Sequence, residues 1–293
     1  MNVFLVIALI AIVLLIGFYF YVKTHPDFAD EMMTKQLRKN RSLTRKKDLL
    51  GKKITIEREG RDRAKVLVYE PAYEGENRPL IFVLHGGSFF DGSADLLDSF
   101  CDRMKDQWES VIVSVDYAKV DEHPLPYAQE ELLDIILYFG KHSYDYHVDV
   151  HRFAGIGFTA GAYILAGGSA EAKEKGLSLK GLILCDPLLD ASIVKLAEFK
   201  ILVEPVIFVL SGKNPSLDKY REFESKMKEK GTDIEEKVYE AAYPNFIDMS
   251  QPEYASLEFQ GKEILQSEEQ KDLARAFEIH AGGMFRRFFD TSH

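Results

Sequence analysis

Arg152-Phe-Ala-Gly-Ile-Gly-Phe-Thr-Ala-Gly-Ala-Tyr-Ile-Leu-Ala-Gly-Gly168 is the stretch that decides the fold of this chain. Its first half is an apolar run ending at Phe158, which suits a buried strand. Its second half is rich in small residues, which suits a helix lying close against a sheet. Between them, Gly157-Phe158-Thr159-Ala160-Gly161 reads as a sharp strand-to-helix turn, with glycines where side chains would clash. In a Gly-x-Ser-x-Gly turn the central residue is held in strained geometry, with its oxygen raised above the sheet. Thr159 stands at that apex, so it is the candidate catalytic residue in the nucleophile position.

Working outward, strands and helices alternate. Lys53–Glu57 and Ala64–Tyr69 alternate polar with apolar residues, as a half-buried hairpin does. Leu80–Leu84, Val111–Val115, Phe153–Phe158, Leu182–Cys185 and Val206–Leu210 are continuous apolar runs, the pattern of strands buried on both faces. Helical stretches fall at about 95–107, 125–141, 160–174, 190–199 and 217–231. A last strand, Glu236–Tyr239, precedes a final helix near 268–289. This order predicts an α/β fold, with a mostly parallel sheet and helices on both faces.

His85-Gly86-Gly87-Ser88-Phe89 follows the third strand directly. Two glycines after a buried strand let backbone N–H groups turn outward. Gly86, Gly87 and the amide of Ala160 are therefore the candidate oxyanion-hole donors.

These blocks resemble the hormone-sensitive-lipase-like group of α/β-hydrolases, the esterases and lipases with a His-Gly-Gly-Gly loop. Tyr117-Ala-Lys-Val-Asp-Glu-His-Pro-Leu-Pro-Tyr-Ala128 follows that group's Tyr-Arg-Leu-Ala-Pro-Glu-His-Pro-Phe-Pro-Ala-Ala segment without a gap, matching at Tyr117, Glu122, His123, Pro124, Pro126 and Ala128. His85–Gly92 and Asp149–Gly157 match two further blocks, and the resemblance covers roughly residues 50–246. It implies an α/β-hydrolase fold and a Ser-His-Asp triad. The chain departs at all three triad positions. Thr159 replaces serine, Pro215 (or Asn214 with a one-residue shift) stands at the acid, and Pro244 falls on the histidine. A β-branched residue crowds the elbow, and a hydroxyl needs a base within hydrogen-bond reach to become a nucleophile. Proline cannot be that base. His123 reads as structural, His147 and His151 lie at the start of the fifth strand, and His280 on the last helix is a helix-face residue or a substitute base. Asp186 and Asp190, after the sixth strand, read as loop and cap residues or as acids in a relay.

The first 22 residues read separately. Val3–Val22 is a run of 20 apolar, aromatic or glycine residues, long enough to cross a hydrocarbon layer of roughly 30 Å as one helix. Residues 1–22 are thus expected to be a transmembrane anchor, 23–50 a basic juxtamembrane or cap segment, and 51–293 the hydrolase domain. Residues 23–53 carry ten Lys/Arg against four acids, net +6, which leaves −16 for the rest of a chain of net −10. Basic residues behind a span stay on the cytoplasmic side, which places the N-terminus outside and the domain in the cytoplasm. The same cluster suits anionic lipid headgroups or a solvated helix face. The acidic domain argues against nucleic acid. Cys101 and Cys185 make no disulfide framework, no residue spacing suggests a metal, and no cofactor is expected.

Three readings of function follow. The first is a membrane-tethered pseudo-hydrolase that binds a small acyl or ester-like ligand, or a partner, without turnover. The second is an active carboxylester hydrolase using Thr159 with a rearranged base. The third is an interaction module for another membrane protein. Its docking surface would be the acidic face or the aromatic set Phe277, Phe285, Phe288 and Phe289, a set that at helical spacing also fits a core face.

Overall fold

Apolar runs with no polar alternation need cover on both faces, and the computed structural model of this chain supplies it. The structure describes residues 3–25, 48–73, 75–189, 205–232, 234–247, 256–259, 262–265 and 267–290, with Met32, Lys35 and Ile201 singly. The chain divides into two compact units, Met1–Thr44 and Arg45–His293.

The first unit holds helix α1, Val3–Thr24, of 22 residues. Its last turn carries Lys23 at the negative end of the helix dipole, and Thr24 Oγ1 donates to the Phe20 carbonyl at 2.9 Å. The side chains of α1 are described at Ile12 and from Leu14 onward. Among the described residues no helix is long and apolar enough to cross a membrane. The cap role expected of residues 27–50 lies almost wholly outside the described residues, as does the helix expected at 190–199.

In the second unit, β1 (Lys52–Ile56), β2 (Ala64–Tyr69), β3 (Arg78–Leu84), β4 (Val111–Val115), β5 (Val148–Phe158), β6 (Leu182–Cys185), β7 (Val206–Ser211) and β8 (Ile234–Tyr239) form one sheet in the order β1-β2-β4-β3-β5-β6-β7-β8. The β1–β2 and β2–β4 pairs are antiparallel, while every pairing from β4 through β8 is parallel. The expected hairpin and parallel strands are all present. Among the described residues five helices accompany the sheet: α2 (Asp98–Gln107), α3 (Tyr127–Lys141), α4 (Ala160–Glu174), α5 (Leu217–Glu229) and α6 (Glu268–Asp290). A 3-10 turn, Ala94–Leu97, leads into α2. A short hairpin, β9 (Ser256–Phe259) with β10 (Lys262–Leu265), was not foreseen from the sequence.

Strand β3 shows how both faces are used. Leu80, Phe82 and Leu84 belong to the core layer with Leu132 and Phe139 of α3, Leu165 of α4 and Met227 of α5. Ile81 and Val83 belong to the opposite layer, with Phe100 and Met104 of α2 and Phe277 and Phe285 of α6. Phe277, Phe285 and Phe288 are buried there, so of the two readings of this aromatic set the core one holds and docking through them is excluded. The parallel register aligns the strand ends: Leu84 pairs with Gly157, Phe158 with Cys185, and Cys185 with Val209. The residues that follow β3, β5 and β6 therefore emerge together at one edge, the usual place for a ligand site in such sheets.

Candidate functional site

At that edge Thr159 has φ 47° and ψ −108°, a backbone region that a β-branched residue occupies only under strain. The glycines on either side explain how the turn closes. A Cβ on Gly157 would lie 2.6 Å from the Ala162 Cα, and one on Gly161 would lie 2.4 Å from the His85 carbonyl oxygen. Thr159 N–H donates to the Cys185 carbonyl at 2.9 Å, and the Thr159 carbonyl accepts from Leu188 N–H at 3.1 Å. The elbow is thus built with threonine at its apex. The Ala160 amide opens α4, where a helix leaves its N–H groups without intrahelical partners.

The loop after β3 is held from behind. Tyr117 Oη donates to the His85 carbonyl at 2.9 Å and lies 3.3 Å from the Gly86 carbonyl, one hydroxyl shared between two acceptors. His85 Nδ1 also lies 2.5 Å from the Gly86 carbonyl. A trans peptide carries its N–H opposite its C=O. The Gly86 and Gly87 amides, which share planes with those two carbonyls, are therefore directed away from Tyr117. The Gly86 Cα faces the elbow, since a Cβ there would sit 2.8 Å from Thr159 Oγ1.

His85 has both nitrogens engaged. Its ring stacks on Tyr117 with centroids 4.2 Å apart, and its Nε2 faces the Lys119 ammonium at 3.3 Å. Lys119 has no lone pair to offer, so Nε2 accepts and Nδ1 carries the hydrogen given to Gly86. Burial first, and Lys119 second, hold the His85 pKa well below the usual histidine value.

A cavity of about 270 Å³ opens above this floor. Thr159, Gly86, Gly87 and His85 line it, with Asp91 and Gly92 from the same loop, Cys185 at the end of β6 and Asp186 just after it, and Asn245, Phe246 and Ile247 after β8. Asp186 has φ 40°, and its carboxylate accepts from the Ser211 amide at 3.0 Å and from Ser211 Oγ at 2.5 Å. Burial raises its pKa, and the Ser211 bonds work against that rise. Burial also pushes the Cys185 thiol well above its ordinary value, which leaves it unreactive.

The structure brings Thr159, Gly86, Gly87 and Asp186 to one cavity, and His123, His147 and His280 are engaged elsewhere. His123 pairs with Asp62 at 2.8 Å and stacks on Tyr127, His147 lies 3.0 Å from Glu76, and His280 Nδ1 lies 2.8 Å from Tyr239 Oη. None of these lines the cavity. Asn214 turns its amide to Tyr220 Oη and accepts from Ser216 N–H. Asp190 lies outside the described residues. Sequence reasoning missed Asp91 and Asn245. Asp91 sits four residues past Gly87, directly before Gly92, within the loop block already singled out. Asn245 carried no signal.

A family model described as alpha/beta hydrolase fold matches residues 81–201. Among curated proteins, the esterase LipI of Mycobacterium tuberculosis is 31% identical over 123 residues, which are 41% of this chain and 38% of that protein. The gibberellin receptor GID1A of Arabidopsis thaliana is 30% identical over 128 residues, 42% of this chain and 37% of that one. The matches span less than two-fifths of either relative's length. Among solved structures, a bacterial heroin esterase superposes with a TM-score of 0.68 at 15% identity, over 88% of this chain and 93% of that one. The carboxylesterase EstE1, cloned from a metagenomic library, also gives 0.68, at 19% identity and over 89% and 97% of the two chains. At these identities the structural likeness is one of fold.

Proposed function

From this α/β-hydrolase scaffold of the esterase/lipase-like kind, we propose a membrane-tethered binding protein that keeps the hydrolase cavity and has given up Ser-His-Asp turnover. One observation carries the reading. The only histidine lining the cavity among the described residues, His85, has both ring nitrogens engaged, while the triad positions hold Thr159, Pro215 or Asn214, and Pro244. A hydroxyl without a base is not a nucleophile at neutral pH. The Gly86, Gly87 and Ala160 amides are left as donors for a carbonyl oxygen. The test pairs two measurements on the full chain. Activated short-chain esters should show neither burst nor turnover, and the same compounds should bind saturably and be recovered intact. Turnover abolished by Thr159→Ala would overturn the reading.

One feature favours a second reading, an active carboxylester hydrolase. Asp186 is a buried carboxyl of raised pKa at the same cavity as Thr159, and such groups cluster at catalytic sites. In that case Asp186→Asn would abolish a measurable hydrolysis. The Ser211 amide and hydroxyl, one to each oxygen, tie Asp186 to the end of β7 and argue for a structural role.

The tether is residues 1–22, with the N-terminus outside and the acidic domain in the cytoplasm. The apolar run and the basic cluster behind it support this topology. Impermeant labelling of an introduced, exposed domain cysteine in intact cells would reverse it. A protein partner is a third reading that Phe277, Phe285 and Phe288 no longer support.

A further inference from the structure

The ligand-binding reading above leaves open what the cavity selects, and its charge pattern speaks to that. Two carboxylates line the space of about 270 Å³: Asp91, whose Oδ1 accepts the Gly92 amide at 2.7 Å, and Asp186, whose oxygens accept from Ser211. Among the described lining residues there is no lysine or arginine. His85 does not supply the missing cation, because Lys119 occupies its Nε2 and its Nδ1 hydrogen is committed to the Gly86 carbonyl. The Lys119 ammonium lies behind the imidazole, against the Tyr117 carbonyl, and is absent from the cavity wall. The rest of the wall is uncharged: Thr159 and Asn245 are polar, and Leu96, Leu97, Val209, Phe246 and Ile247 are apolar.

In such surroundings an anionic ligand loses its hydration, meets two acids and finds no counter-charge. An uncharged carbonyl compound takes the same backbone amides as donors and avoids that penalty. Asp186 sharpens the distinction. Its pKa is already raised by burial, and an anion beside it would force the carboxyl further toward its protonated form. We infer that Asp91 and Asp186 make the Thr159 cavity a charge filter, which admits an uncharged carbonyl compound and rejects the carboxylate that cleavage of an ester would leave. A bound ester would therefore be told apart from its own hydrolysis product by charge.

The test uses the full-length protein in detergent micelles. Four methyl esters (acetate, butyrate, benzoate and phenylacetate) are titrated beside their matched carboxylates at pH 7.5, with ligand-observed NMR as the readout. At least one ester should saturate, with its acid at least tenfold weaker. Asp91→Asn should narrow that gap at least threefold by improving the acid more than the ester, and Asp186→Asn should do the same if it folds. An acid that binds as well as its ester overturns the filter and leaves the ligand-binding reading standing. A gap untouched by Asp91→Asn overturns the assignment to these carboxylates. Failure of all eight compounds to bind overturns both the filter and the reading beneath it.

Discussion

Tyr117 Oη donates to the carbonyl oxygen of His85 at 2.9 Å, across 32 residues of sequence, and the same hydroxyl lies 3.3 Å from the Gly86 carbonyl. Both residues are buried and their rings are stacked. This clamp fixes two successive peptide planes of the loop after β3, and with them the direction of the Gly86 and Gly87 amides. Because the clamp stands behind the cavity, it persists whether or not Thr159 does chemistry.

Tyr117→Phe tests the clamp. Removing the hydroxyl leaves the buried His85 carbonyl short of a donor, while the Gly86 carbonyl keeps His85 Nδ1–H, and costs about 1–3 kcal/mol of stability in urea unfolding. The Gly86 and Gly87 amide resonances should shift, and any ester that binds the wild type should bind more weakly. Unchanged amide shifts would show that the loop is held by other means.

The elbow makes two substitutions opposite in sign. Gly161→Ala places a methyl 2.4 Å from the His85 carbonyl oxygen and should destabilise by about 1–3 kcal/mol or more. Thr159→Gly relieves a strained φ of 47° and should stabilise, by an amount up to about 1–3 kcal/mol. Denaturant midpoints decide both, and a Thr159→Gly protein weaker than wild type would contradict the strain argument.

Restoring the nucleophile alone should restore nothing. Members of a catalytic unit are strongly non-additive, so Thr159→Ser still lacks a base at Pro244 and an acid at Pro215. Stopped-flow hydrolysis of activated short-chain esters should be flat for both wild type and variant. The combined Thr159→Ser, Pro215→Asp, Pro244→His chain is the construction in which turnover is expected to emerge.

Glu131 sets a pH dependence of stability. Burial pushes its carboxyl from 4.5 up to about 7, against the Ala118 amide and then Arg58, which pull it down. The folded state therefore keeps a proton that the unfolded chain releases, so the stability Glu131 contributes is fully present below pH 4.5 and is lost as pH rises through 7. The full span is about 3 kcal/mol. Urea unfolding of wild type and Glu131→Gln at pH 5 and pH 8 should show the wild type losing more over that interval. Parallel losses would refute it.

The aromatic stripe of α6 divides by burial. Phe277→Ala and Phe285→Ala remove fully buried rings and should cost about 3–5 kcal/mol each, while Phe289→Ala, at a partly exposed ring, should cost clearly less. Thermal or urea unfolding measures all three. Comparable small losses would return this face to the surface.

The sheet and its elbow were legible in the chain because strand and helix patterns are local. Continuous apolar runs, the paired glycines at 157 and 161 and the loop at 85–87 each carry their meaning within a few residues. The hairpin β9–β10 escaped notice because Ser256–Phe259 and Lys262–Leu265 hold only two apolar residues each, with no continuous apolar run like that of β6. The aromatics of α6 stayed ambiguous for another reason: helical spacing marks a face without saying what covers it.

By itself, then, the sequence determined the succession of strands and helices, the turn that carries Thr159 and the absence of histidine and aspartate where a triad needs them. Tertiary structure alone decided what surrounds that threonine. It set Tyr117 behind the loop, turned His85 toward Lys119, and brought Asp91, Asp186 and Asn245 to one wall. Those residues lie on four separate connections, and only the register of parallel strands carries them to the same edge. Chemistry that depends on residue type can be read along a chain, whereas chemistry that depends on neighbours waits for the fold.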